Sequence, residues 1–208
     1  MFEIRKNKWI FLLLSTFAGK ISFFISAVIT SRVLTLLDFV IVDTILAGGI
    51  GGLLLGIFLM NFHNIQKMVL AGLVAIPVGF WSAFILARGV DLLFSSIGVN
   101  TKNPNIYNIE NIIGIIFMGV ICGAIFGAII YGRKSIWVFS AVCGMVSFPF
   151  GILVGLFNTG HPIKSTYEEL LAVFGPVDLN FLAIMTSFGI GIGLSIGLFG
   201  MLKQKSTV

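Results

Sequence analysis

Six stretches of this chain are each apolar for about the length a helix needs to cross a bilayer, roughly 20 residues. They are Trp9–Ser31, Phe39–Phe62, Met68–Ala87, Asn111–Tyr131, Ile136–Phe157 and Phe181–Leu202. This feature removes most folds. A transmembrane strand would alternate strictly between apolar and polar residues, which these blocks do not, and lipid offers no partner to unpaired backbone groups. Composition agrees, since 58% of residues are apolar and 10% charged, against about 45–50% and about 25% in soluble domains. The expected fold is an all-α integral membrane protein, a single polytopic domain over residues 1–208, with outer loops at 88–110 and 158–180.

The net charge of +5 is a topology signal and not a nucleic-acid footprint. With the N-terminus placed inside, the inner segments carry Arg5, Lys6, Lys8, Lys67, Arg133, Lys134, Lys203 and Lys205. The outer segments carry only Arg32, Arg88, Lys102 and Lys164, among acids that include Asp38, Asp43, Asp91, Glu110, Glu168, Glu169 and Asp178. Such a bias puts both termini in the cytoplasm. The abundance of Ile, Asn and Lys is that of an AT-rich bacterial genome, so the expected location is a bacterial inner membrane. Lys20 interrupts the first block and no small-residue cleavage site follows, so that block reads as a membrane helix rather than a removable signal.

Glycines recur four apart. Gly48, Gly52 and Gly56 form one triad, Gly119, Gly123 and Gly127 a second, and Gly189, Gly193 and Gly197 a third, each on an even-numbered block. Glycine costs a soluble helix roughly 1 kcal/mol relative to alanine. In a membrane, small residues four apart instead let two helix backbones approach closely. A second match joins the third and fifth blocks, where Gly72, Pro77 and Gly79 parallel Gly144, Pro149 and Gly151; Gly19 begins a looser copy in the first. The connections match too. Val90, Leu93, Phe94 and Ile97 precede Gly98 at amphipathic spacing, and Tyr167, Leu170, Leu171 and Phe174 precede Gly175. Val33, Leu36, Leu37 and Val40 give a compressed version, and Ser165 with Glu168 resembles a capping box.

Three tandem two-helix units are therefore expected, related by a pseudo-threefold axis along the membrane normal, with short amphipathic helices at the outer surface. In that frame Cys143 aligns with Ala71 and Ala18, so it and Cys122 read as small residues in tight contacts rather than a redox pair.

Few residues offer chemistry. Lys20 stands eleven residues from either end of its block, near mid-membrane, where charged side chains commonly mark function. Thr16, Ser22 and Ser26 share its helix, and Asp43 is its expected acidic partner; the alternative is a lysine that only fixes packing. Pro77 and Pro149 leave the carbonyls of Leu73 and Met145 without intrahelical donors, which either shapes a binding site or is absorbed by packing. His63 and His161 fall at opposite surfaces and cannot share a metal. No H-E-x-x-H, G-x-S-x-G or P-loop pattern occurs.

An enzyme is not expected, nor a cofactor or a metal site. The expected partners are the lipid bilayer and either other membrane subunits or a second copy, with no nucleic acid. Two functions compete: a small transporter or channel with its pathway between the hairpins, and a non-catalytic subunit of a larger transport or export complex. A polar centre reaching Lys20 favours the first. A dry core with outward-facing glycine triads favours the second.

Overall fold

A computed structural model describes residues 7–34, 40–60, 64–98, 104–158, 163–172 and 178–205. Its helices are α1 (Lys8–Leu34), α2 (Val40–Phe58), α3 (Ile65–Ser96), α4 (Pro104–Tyr131), α5 (Ile136–Asn158), α6 (Ile163–Leu171) and α7 (Leu179–Lys205). All but α6 are long and apolar enough to span a membrane, six in number. The chain is accordingly a multi-pass membrane protein.

The six long helices pack in the cyclic order α1, α2, α3, α4, α5, α7 and back to α1, with a smaller contact between α4 and α7 across the ring. Sequence neighbours are antiparallel, and so is the closing pair. Gly189 lies against Gly19, Gly193 against Ser15, and Gly197 against Leu12, so α7 descends as α1 rises.

Each glycine triad seats its helix on the helix that follows it around the ring, its first two glycines against backbone carbonyls and its last against side chains. On α2, Gly48 faces the carbonyl of Gly72, Gly52 that of Met68, and Gly56 the side chain of Ile65. On α4, Gly119 faces the Ser147 hydroxyl and the carbonyl of Cys143, Gly123 the carbonyl of Phe139, and Gly127 the side chain of Phe139. On α7, Gly189 faces the carbonyl of Gly19 and Gly193 that of Ser15. A β-carbon at Gly119 would stand 2.8 Å from the Cys143 carbonyl oxygen, so only glycine permits this approach. The contacts set Cys143 where Gly72 and Gly19 stand on the other helices, one residue from the pairing of Gly144 with Gly72 that the sequence suggests.

The third span is longer than its apolar block. Arg88 does not end α3: the helix runs on to Ser96, and Arg88 and Asp91 form an i,i+3 ion pair at 4.0 Å along it. The amphipathic stretch beginning at Val90 is thus the last part of α3 and not a separate helix. It stops where expected, at Gly98, which adopts φ +78°. Helix α6 is the second amphipathic element, free-standing, with Tyr167 stacked edge-on against Phe157 at 5.5 Å. It already begins at Ile163, so Ser165 sits inside its first turn and not ahead of it as a cap. The stretch around Leu36 and Leu37, Gly175, and both His63 and His161 lie outside the described residues. Gly132, at φ +82°, turns α4 into α5, and the Ser135 hydroxyl closes the corner by donating to the Gly127 carbonyl at 2.7 Å.

Candidate functional site

Two places could carry function in a ring of this kind: its centre and its lipid-facing rim. The centre is built from α1 outward. Ser15, Gly19, Ser22, Phe23, Ser26, Ala27 and Thr30 form the buried stripe of α1. Phe23 reaches across the middle of the ring, lying over Gly51 of α2 and meeting Phe126 of α4 edge-on at 6.1 Å. Phe23, Phe126, Ile76, Met185, Phe188 and Ile192 have no exposed surface at all. This centre is packed with aromatic and aliphatic side chains.

The hydroxyls near it are mostly turned back on their own helices. Ser22 donates to the Ala18 carbonyl at 2.6 Å, Ser187 to Ile184 at 3.0 Å and Ser195 to Gly191 at 2.7 Å. A few polar groups cross between helices instead. Ser26 donates to the Ala47 carbonyl at 2.5 Å and the Cys122 thiol to that of Ala75 at 2.9 Å, while the Cys143 sulfur stands 3.9 Å from the Ser195 hydroxyl. The two cysteines therefore serve different interfaces, Cys122 between α4 and α3 and Cys143 between α5 and α7; both are free thiols. The hydroxyls of Thr30 and Ser147 are buried without a hydrogen-bond partner.

Lys20 is nowhere near this centre. Gly19 draws α1 against α7, and that contact turns the next residue away from the bundle. Lys20 is exposed, in company with Leu13 (59%), Phe17 (59%) and Ile21 (43%). It sits at the middle of its helix. It stands twelve residues from each end of the Lys8–Arg32 span, and its neighbour Gly19 touches Gly189, itself well inside α7. A lysine facing lipid at that depth costs about 2.5–3.5 kcal/mol on insertion scales.

The other residues singled out by sequence do not gather around Lys20. It forms no ion pair with Asp43. Asp43 is half-buried in the first turn of α2. It lies four residues above Ala47, which bonds Ser26, and Ser26 lies six above Lys20, a separation of about 15 Å along the helix axes. Pro77 is half-buried within an uninterrupted α3, and Pro149 is exposed on an equally uninterrupted α5. Neither breaks a helix to open a site. The triads are consumed by helix contacts within the ring and face neither its axis nor the outside.

One residue escapes the sequence reading. Glu110, expected in a solvated loop, lies inside α4 and is 7% exposed, because that helix begins at Pro104 rather than at Asn111. Its Oε1 and the amide nitrogen of Asn111 are buried without a hydrogen-bond partner. The available signal was Pro104 itself, a favoured first residue of a helix. No family model, no curated protein and no solved structure matches the chain.

Proposed function

We propose that this protein is a non-catalytic membrane subunit that assembles laterally with another membrane protein through the lipid-facing side of α1. The observation that carries this reading is the direction of Lys20: a cation at mid-membrane depth on the outer face of a ring whose centre is filled by Phe23 and Phe126. Intramembrane charges are conventionally turned inward, toward a cavity or a partner within the bundle. Here the polarity is reversed, so the face that bears the charge is the one that meets something else.

The ring supplies the rigid support such a subunit needs. Three glycine-on-carbonyl contacts alternate around it with three softer ones, and this alternation favours three tandem hairpins about a pseudo-threefold axis. Lys8, Lys67, Arg133, Lys134 and Lys205 lie at the same end of the antiparallel bundle. By the positive-inside bias that end is cytoplasmic, in a bacterial inner membrane.

The test is the size of the particle extracted gently from native membranes. A subunit migrates well above the 22.5 kDa chain in its detergent belt, and Lys20→Met shifts it toward the free chain. A wild-type protein that always runs as the free chain sinks the reading. The second reading, a transporter or channel, draws on the buried unpartnered hydroxyls of Thr30 and Ser147, with Phe23 as the plug. It requires solute or ion flux from the purified chain alone in vesicles, raised by Phe23→Ala.

A further inference from the structure

We infer that the α1 face takes a transmembrane helix of a different chain that carries a carboxylate at mid-bilayer depth, paired with Lys20. This rests on the lateral-subunit reading above and adds the chemistry of the partner. Ile10 (45% exposed), Leu13, Phe17 and Lys20 follow one another at steps of three, four and three residues along the outer side of α1. That is the seam along which one helix packs on another with a left-handed crossing, and a single polar residue on such a seam fixes the register of the pair. The apolar seam supplies contact area, and Lys20 supplies the selection.

Charge and reach narrow the occupant. From mid-span each end of the helix is about 18 Å away, whereas an extended lysine stem covers roughly 6 Å. Lipid headgroups are therefore out of reach of the ammonium. A second copy of this chain cannot supply the counter-charge from its described residues either. Asp43 stands half-buried in the first turn of α2, Asp91 near the outer end of α3, and Glu110 is buried near the outer end of α4, while Glu168 and Glu169 lie on the short α6 and Asp178 just ahead of α7. None is exposed at the depth of Lys20. What remains is an acid on another protein's membrane helix, where the ion pair removes both charges from the hydrocarbon together.

The probe is a synthetic polyleucine helix of about 20 residues with one central aspartate and an acceptor dye, mixed with donor-labelled full-length protein in phosphatidylcholine vesicles. Energy transfer is expected to show the Asp helix binding about tenfold tighter than an all-leucine control, a difference of about 1.4 kcal/mol. Lys20→Met abolishes the preference, and Lys20→Arg restores it. Charge reversal gives an independent reading: Lys20→Glu favours a helix with a central lysine. Thermal unfolding of each variant in detergent separates loss of the fold from loss of pairing. Equal binding of the Asp helix to wild type and Lys20→Met overturns the inference, and so does an Asn helix that binds as well as Asp. If the Asp preference fails while the native particle still depends on Lys20, the carboxylate is wrong and the subunit reading stands.

Discussion

The ring contains two kinds of seam. Where α2 meets α3, α4 meets α5 and α7 meets α1, the first two glycines of each triad lie against backbone carbonyls, and the last meets side chains, of Ile65, Phe139 and Leu12 respectively. Where α1 meets α2, α3 meets α4 and α5 meets α7, the glycines instead receive side chains. A β-carbon at Gly51 would stand 2.7 Å from the Phe23 ring, one at Gly79 would meet the Cys122 sulfur, and one at Gly191 would stand 3.0 Å from both the Cα and the sulfur of Cys143. The first kind is rigid, because a helix backbone cannot step aside without moving the whole helix. The second can yield by rotating one side chain. Polar bonds between helices occur at the soft seams, as Ser26 to Ala47 and Cys122 to Ala75 show. Close approach and hydrogen bonding are thus alternative ways of holding helices together where lipid supplies no hydrophobic drive.

The largest effect should come from adding a single methyl group to a rigid seam. Gly52→Ala, Gly123→Ala and Gly193→Ala each place a β-carbon against a carbonyl, of Met68, Phe139 and Ser15 respectively. Each is expected to cost about 1–3 kcal/mol, the range for overpacking a close-packed interior, read by reversible unfolding in mixed micelles. Similar losses at all three sites would sharpen the case for three equivalent units. By contrast, Gly51→Ala meets the buried Phe23 ring and no backbone, and should cost less than any of them. A Gly51→Ala loss as large as that of Gly193→Ala would erase the distinction between the seams.

The seams also show what could be read from the chain. Periodicity gave the glycine faces, because positions four apart must share one side of a helix. It could not give their partners. The triad of α7 closes on α1, almost the full length of the chain away, and local spacing carries no information about that closure. Lys20 is similar: its depth follows from counting residues, but its direction does not. Ser22, two residues on, points roughly 200° away around the helix and is buried while Lys20 is exposed. The two share α1 but not a face, since α1 has a side toward the ring and a side toward lipid. Arg88 marked the end of the apolar block but not of α3, since a charged residue that reaches solvent does not interrupt helical backbone, and Arg88 pairs with Asp91 one turn on.

A smaller effect of opposite sign is expected outside the seams. Nothing stands within 4 Å of a β-carbon at Gly89, and the residue is exposed in the C-terminal part of α3. Gly89→Ala should therefore stabilise the helix by about 0.5–1 kcal/mol, the backbone freedom that alanine removes. The same measurement checks it, as a rise in the unfolding midpoint. A loss here would mean that glycine on these helices is needed for something other than contact, and the reasoning about both seams would fail with it.

The smallest effect belongs to the polar bonds of the soft seams. Ser26→Ala removes the hydroxyl that reaches the Ala47 carbonyl while keeping the small side chain that lets α1 and α2 pack. A membrane hydrogen bond averages about 0.6 kcal/mol, because in the separated state the hydroxyl finds a carbonyl on its own helix. Ser22 does this in the folded protein, donating to Ala18. The expected loss is of that size, well below Gly193→Ala, and a double variant with Cys122→Ala should add to it nearly independently, since the two bonds lie at separate seams. If Ser26→Ala instead costs as much as a rigid-seam glycine, the soft seams are held by their hydrogen bonds, and the ring owes its closure to polar contacts rather than to backbone approach.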